Sequence, residues 1–306
     1  MVRVRKEVKC DNEIHKRYTG KHVSVAILDT GIYLHPDVDS RIILFHDFVN
    51  HGKYPYDDSG HGTHVAGCLA GNGKSSKGIY RGIAPECNLI IGKVLDKKGS
   101  GSIENMLEGL SWILEKEKEY QIRILNISIN FDRNISGEKI KSLTSMLQKI
   151  SDRGILVVIA AGNNGPKIYS ISPMGMGKDV LCVGCYDRDK NGKEEALCES
   201  YSGRGPGLFA IKKPDIVAPG TRIRSLGCPD SGKKKQERTV YTLRSGTSFA
   251  TPVVAGAAAL LLEKESHLTG REIKERICYS ATDLKEPWNK QGWGMLNIKN
   301  LLNFRK

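Results

Sequence analysis

The chain has 306 residues, 39% hydrophobic and 26% charged, an ordinary balance for a folded globular protein with a substantial core. No apolar run reaches the length of a membrane span, and the charged start Met1-Val2-Arg3-Val4-Arg5-Lys6 lacks the apolar segment of a secretory signal. A formal net charge of +13 raises nucleic acid as a partner, but the basic residues are dispersed. The densest groups, Arg3-Val4-Arg5-Lys6 and Lys233-Lys234-Lys235, read as solvated surface, so neither a specific nucleic acid nor a membrane is expected as partner.

Residues 1 to 20 show no clear period and read as an extension packed on a single domain that runs from 21 to 306. Val23 to Leu28 is a β-rich run ending at Asp29-Thr30-Gly31, which predicts a buried strand with Asp29 at its carboxyl end. The segment Asp57-Asp58-Ser59-Gly60-His61-Gly62-Thr63-His64 joins a polar loop to a glycine-punctuated helix start, with His61 at the junction. Leu89 to Leu95 predicts another strand. Ile103, Met106, Leu107, Leu110, Ile113 and Leu114 recur at helical spacing and predict an amphipathic helix over 103–119.

Further along, Ile122 to Ile129 reads as a strand, and Ile140, Leu143, Leu147 and Ile150 mark a helix. Ile155 to Ala161 is apolar enough to be buried on both faces. Val180 to Cys185 and Asp215 to Ala218 predict two more strands, and Arg271 to Cys278 a closing helix. Strands alternating with helices argue for an α/β fold, a three-layer sandwich with a mostly parallel central sheet. Such folds build their sites at the carboxyl ends of the strands, where Asp29, Ser128 and Asn163 fall.

The segment Ser245-Gly246-Thr247-Ser248-Phe249-Ala250-Thr251-Pro252 leads into the apolar run Val253 to Leu262. Thr247 or Ser248 is expected to cap this helix, with Pro252 in its first turn. Ser248 then lies where free N–H groups and the helix dipole favour an oxyanion, a place suited to a nucleophile. A plain capped helix start accounts for the same residues. Asp29, His61 and Ser248 together supply an acid, an imidazole and a hydroxyl, in that chain order.

With their flanks, these three residues make the chain resemble the subtilisin family of serine proteases, and Tyr80 to Glu86 resembles its intracellular alkaline members from bacilli. Ala160-Ala161-Gly162-Asn163, Lys213 to Gly220 and Gly292 to Asn297 extend the resemblance to nearly everything from Val23 to Leu302. It implies a serine endopeptidase working through an acyl-enzyme, with His61 as base, Asp29 as its orienting acid, Ser248 as nucleophile and Asn163 as oxyanion donor. Ser128, Ile129 and Asn130 on one side and Ala161 and Gly162 on the other are implied as walls for an extended peptide. The resemblance assigns the base to His61 and leaves His64 a structural role. General protein turnover and maturation of a dedicated peptide both fit, and a silent relative acting as a binding module is the competing reading.

Several positions depart from the family pattern. Asn130 stands where many relatives have glycine, and Asn164 is neutral where some carry an acid. The segment Gly71 to Gly78 replaces a loop that binds structural calcium in many secreted relatives, and it carries lysines but no carboxylate. That site is expected to be absent, calcium elsewhere stays open, and no cofactor or metal is expected in the chemistry. Only 28 residues precede Asp29, in place of a sizeable prodomain. Either the sequence is a trimmed mature form or the enzyme is intracellular with a short N-terminal extension, and that extension, open to trimming, or an inhibitor is a candidate occupant of the cleft. Eight scattered cysteines without a signal read as reduced thiols and predict a cytoplasmic setting. Cys182 and Cys185, three apart on a strand, are expected to face opposite sides.

Overall fold

The computed structural model describes residues 1–129, 136–187, 201–207, 211–229 and 241–304. Two short helices, α1 (Val2–Glu7) and α2 (Asn12–Arg17), precede β1 (Ser24–Asp29), β2 (Ile42–Asp47), α3 (His61–Ala70) and β3 (Asn88–Lys93). Then come α4 (Ile103–Tyr120), β4 (Ile122–Ile127), α5 (Gly137–Asp152), β5 (Leu156–Ala160), β6 (Leu181–Cys185) and β7 (Ile216–Ala218). A hairpin of β8 (Ile223–Leu226) and β9 (Tyr241–Arg244) leads to α6 (Thr247–Lys264), α7 (Gly270–Tyr279), α8 (Trp288–Gln291) and α9 (Ile298–Leu302).

The central sheet has seven strands in the order β2-β3-β1-β4-β5-β6-β7, all parallel. Side chains alternate across it with period two, which sorts the core into two layers. Val25, Ile27, Leu89, Ile91, Val158 and Val183 pack beneath α3, α6, α7 and α9. Ala26, Leu28, Ile90, Leu125, Val157 and Ile159 pack against α4 and α5 on the other face. This is the expected three-layer α/β sandwich. The most deeply set helix is α6, buried from Thr247 to Leu262, and its small side chains let it lie close to its neighbours.

The structure adds elements that the sequence pattern hid. β2 is the edge strand beside β3, half-exposed along most of its length, so it lacks the apolar run of its neighbours. β4 ends at Ile127 and β3 at Lys93; beyond β3 the chain turns, and the N–H groups of Val94 and Leu95 both reach the Asp29 carbonyl. Gly246, not Thr247 or Ser248, is the residue that caps α6, and Pro252 therefore falls in the second turn rather than the first. There its missing N–H leaves the Ser248 carbonyl without a helical donor.

The first 20 residues make core contacts and hydrogen bonds with the rest of the chain. Val4, Val8 and Cys10 are core residues, the Val8 carbonyl accepts from the Ile298 N–H, and Glu263 accepts from the backbone of Thr19 and Gly20. Further hydrogen bonds run from Met1 to the Arg224 carbonyl, from Arg3 to Asp187, from His15 to the Ile83 carbonyl and from Thr19 to Glu86. No helix among the described residues is long and apolar enough to cross a membrane. Cys10, Cys68, Cys87, Cys182, Cys228 and Cys278 are free, whereas Cys185 is disulfide-bonded, which corrects the expectation of reduced thiols at that position. Cys182 and Cys185 do enter different packing clusters, so they form no redox pair.

Candidate active site

β1 ends at Asp29 in the middle of the sheet, and α3 begins at His61 directly above it. Their approach depends on Gly62: a Cβ there would lie 2.2 Å from the Gly31 carbonyl oxygen and 3.2 Å from the Asp29 Cβ. With only hydrogen in that space, His61 Nδ1 donates to Asp29 Oδ1 at 2.7 Å, and the Thr30 N–H donates to the same oxygen at 2.8 Å. The carboxylate accepts on the Nδ1 side, which leaves Nε2 as the basic nitrogen of neutral His61. Asp29 is fully buried, and its Oδ2 has no hydrogen-bond partner among the described residues. Burial pushes the His61 pKa down, but the charge and hydrogen bond of Asp29 outweigh it and leave the imidazole above its ordinary value.

Sequence reasoning quoted Asp57 and Asp58 only as parts of a polar loop; both organise the site. Asp57 Oδ1 accepts from Thr30 Oγ1, Ser59 N and Gly60 N, while Oδ2 accepts from the N–H and hydroxyl of Thr63. Thr30 Oγ1 in turn accepts from Gly62 N at 2.9 Å. One carboxylate thus ties the end of β1 to the first turn of α3, in place of a capping side chain at Gly60. Beneath it the fully buried Lys93 ammonium donates to Thr30 O, Leu95 O and Asp58 Oδ1, at 2.8, 2.8 and 2.7 Å, so all three of its donors are satisfied.

His64 is a different kind of histidine. Its Nε2 donates to the Ile223 carbonyl at 3.0 Å, and Nδ1 faces the Cys68 thiol. Burial, with the nearby Arg244 charge adding to it, pulls its pKa down to about 3, so it is a neutral structural donor holding α3 on β8.

Ser248 is the second residue of α6, 9% exposed, and its hydroxyl makes no hydrogen bond among the described residues, His61 included. The Phe249 ring stands 5.2 Å from the His61 ring. Asn163 lies just beyond β5, and its Oδ1 accepts from Thr247 N at 3.0 Å and Thr247 Oγ1 at 3.1 Å. Those two bonds fix the amide's orientation, and they leave its NH₂ group exposed and without a partner among the described residues. Ser128 is buried, with its hydroxyl accepting from Asn126 Nδ2 at 2.9 Å, and Ile129 is buried beside it. Past the sheet's own ladder, neither Ser128 nor Ile129 makes a backbone hydrogen bond among the described residues. Ala161 and Gly162 are held by bonds to Val183, Ser172 and Gly203. Asn130 lies outside the described residues.

An acid and an imidazole bonded to each other at the carboxyl edge of a parallel sheet, with the ring of Phe249, next to Ser248, packed on that imidazole, define an α/β protein with groups suited to acyl transfer. The chain belongs to the subtilase family, whose model matches residues 20–294. It is 42% identical over 293 residues to the serine protease AprX of Bacillus subtilis, covering 92% of this chain and 66% of that protein. It is 36% identical over 281 residues to Subtilisin Savinase of Lederbergia lenta, covering 92% and 91%. The chain thus spans just under two thirds of the length of AprX and most of the length of Savinase. Among solved structures, Sphericase superposes with a TM-score of 0.78 at 25% identity, over 96% of this chain and 97% of that one.

Proposed function

We propose that this protein is a serine endopeptidase acting through Asp29, His61 and Ser248. The observation that carries the reading is the 2.7 Å bond from His61 Nδ1 to Asp29 Oδ1, which turns the basic Nε2 edge of the ring outward. His61 takes the Ser248 proton as Oγ attacks a peptide carbonyl, and the resulting oxyanion accepts from the Asn163 amide and the Ser248 backbone N–H. Collapse breaks the C–N bond, His61 returns the proton to the leaving amine, and an acyl-enzyme remains on Ser248. Water then repeats the sequence and frees the acid. Asp29 keeps the imidazole in one tautomer and offsets its positive charge while the proton is held. The absence of a His61–Ser248 bond suits a site awaiting substrate, since such contacts tighten in the Michaelis complex.

The substrate is an extended segment of protein or peptide. Its backbone pairs with the open edge at Ser128 and Ile129 on one side and with Ala161 and Gly162 on the other, a form of strand addition. Six free cysteines among the described residues favour a cytoplasmic setting, against the one disulfide at Cys185. The test is digestion of a diverse peptide mixture, read by mass spectrometry, for the wild type beside Ser248→Ala. Cuts made only by the wild type are expected. An intact mixture with the wild type, or the same cuts with both proteins, would overturn the reading.

A further inference from the structure

The segment from Gly71 to Gly82 leaves the C-terminal end of α3 and returns to it. Gly82 N donates to Gly71 O at 2.7 Å, Ile83 N to Cys68 O at 3.2 Å, and Ala84 N to Leu69 O at 2.7 Å. Between those ties the carbonyls of Gly78, Ile79 and Arg81 turn toward α1, and this is the segment that the sequence resemblance sets against a calcium-binding loop. The residues here do not fit calcium. Calcium takes six to eight oxygen ligands with carboxylates among them, and the carbonyl oxygens in question are already occupied by a cation of the chain itself.

That cation is Arg5, projecting from α1. Its guanidinium donates to Arg81 O, to Ile79 O at 3.5 and 3.4 Å, and to Gly78 O at 3.4 Å. The carboxylate nearest the loop, buried Asp37, is also taken. Its Oδ1 accepts from Ser75 N and its Oδ2 from the Tyr241 hydroxyl, both at 2.8 Å. Burial first, with the Asp37 bond adding to it, pushes the Tyr241 pKa up to about 12, so the phenol stays a donor. The loop's own charged residues, Lys74, Lys77 and Arg81, are cationic and would oppose a divalent ion.

We infer that Arg5 is a built-in replacement for a structural calcium ion: its planar fork gathers the carbonyls of Gly78, Ile79 and Arg81 and pins the 71–82 loop to the N-terminal helix. A guanidinium suits this role because it presents several rigidly spaced donors and stays charged. Its position is set in advance by Val4 and Val8, which anchor α1 in the core on either side of it. The loop's integrity then depends on the N-terminal segment and not on the concentration of a free ion. The inference is independent of the proposed peptidase activity.

The test uses the full chain with Ser248→Ala, to keep the samples intact, as parent. A bound ion that stabilises only the folded state raises the melting temperature with its concentration. Hydrogen exchange in the parent's 72–82 peptides is therefore expected to be the same in excess calcium and in chelator. Arg5→Ala in that parent should melt lower by about 2–4 °C or more. Its hydrogen exchange should rise in peptides covering 72–82 and stay unchanged in those covering β4 and β5. Arg5→Lys, which keeps the charge without the fork, should exchange faster than the parent in the same peptides, and it carries the test if Arg5→Ala does not fold. A calcium-dependent slowing of the parent's exchange in the peptides covering 72–82 would overturn the inference. So would loop exchange in both variants equal to that of the parent.

Discussion

Replacing Gly62 with alanine tests whether the Asp29–His61 geometry is set by how closely α3 approaches the end of β1. The added methyl would sit 2.2 Å from the Gly31 carbonyl oxygen and 3.2 Å from both the Cβ and Oδ1 of Asp29. The first obstacle is backbone, and no rotamer change relieves it. Restoring an ordinary contact requires the start of α3 to retreat by roughly 1 Å. A shift of that size takes the 2.7 Å His61–Asp29 bond out of hydrogen-bond range. Misplacement by about 1 Å costs on the order of 10²-fold in rate. The expected result for Gly62→Ala is a fall of about that size in kcat on a fluorogenic peptide, with the far-ultraviolet circular dichroism of the wild type retained. The acid limb of its pH profile should also move toward the ordinary imidazole value, because the Asp29 interaction is what raises His61. A folded variant with kcat within threefold of wild type would refute the reasoning.

Two further outcomes follow from the same site. Asn163→Ala removes the amide proposed to hold the oxyanion and should lower kcat by about 10²–10³-fold, a magnitude measured for this amide in a subtilisin, while leaving KM nearly unchanged; an equal loss through KM alone would point instead to ground-state binding. Asp29→Asn removes the charge that raises His61, and since the neutral imidazole is the active base, the acid limb of kcat/KM should move to lower pH while the rate falls by about 10⁴-fold, the tautomer being lost. The sign for stability is fixed by the same pair. A folded pKa above the unfolded one gives stabilisation that is full below the unfolded value and fades as pH rises through the folded one, so wild-type stability should lose this contribution on passing upward through that window and Asp29→Asn should not.

The strands that carry the site were legible because each is an apolar run broken by a polar residue at its carboxyl end. Asp29 after Leu28 is the clearest case, whereas the pairing of Asp29 with His61 came from the family resemblance. β2 was not legible: with most of its residues half-exposed and His46 and Asp47 at its end, an edge strand shows little of the period that burial imposes. The start of α6 misled for a different reason. Ser and Thr are good caps in isolation, but Asn163 already serves the Thr247 N–H from another part of the chain, and that contact shifts the cap to Gly246. Asp57 was invisible as an organiser because one of the four residues that donate to it, Thr30, lies 27 positions away, a spacing that only the folded chain brings together.

The free cysteines make the fold self-reporting. Cys10 sits in the N-terminal segment, Cys68 in α3, Cys87 beside β3, Cys182 in β6 and Cys278 in α7, all buried. Burial holds their pKa values at about 11 to 12, so the native thiols are nearly unreactive at neutral pH. Each becomes open to alkylation only when its own layer parts from the rest. The order in which mass tags accumulate under mild denaturation therefore maps the sequence of local openings without any engineered probe. For a chain exposed to its own kind of cleavage, the first layer to open is also the first site of self-digestion.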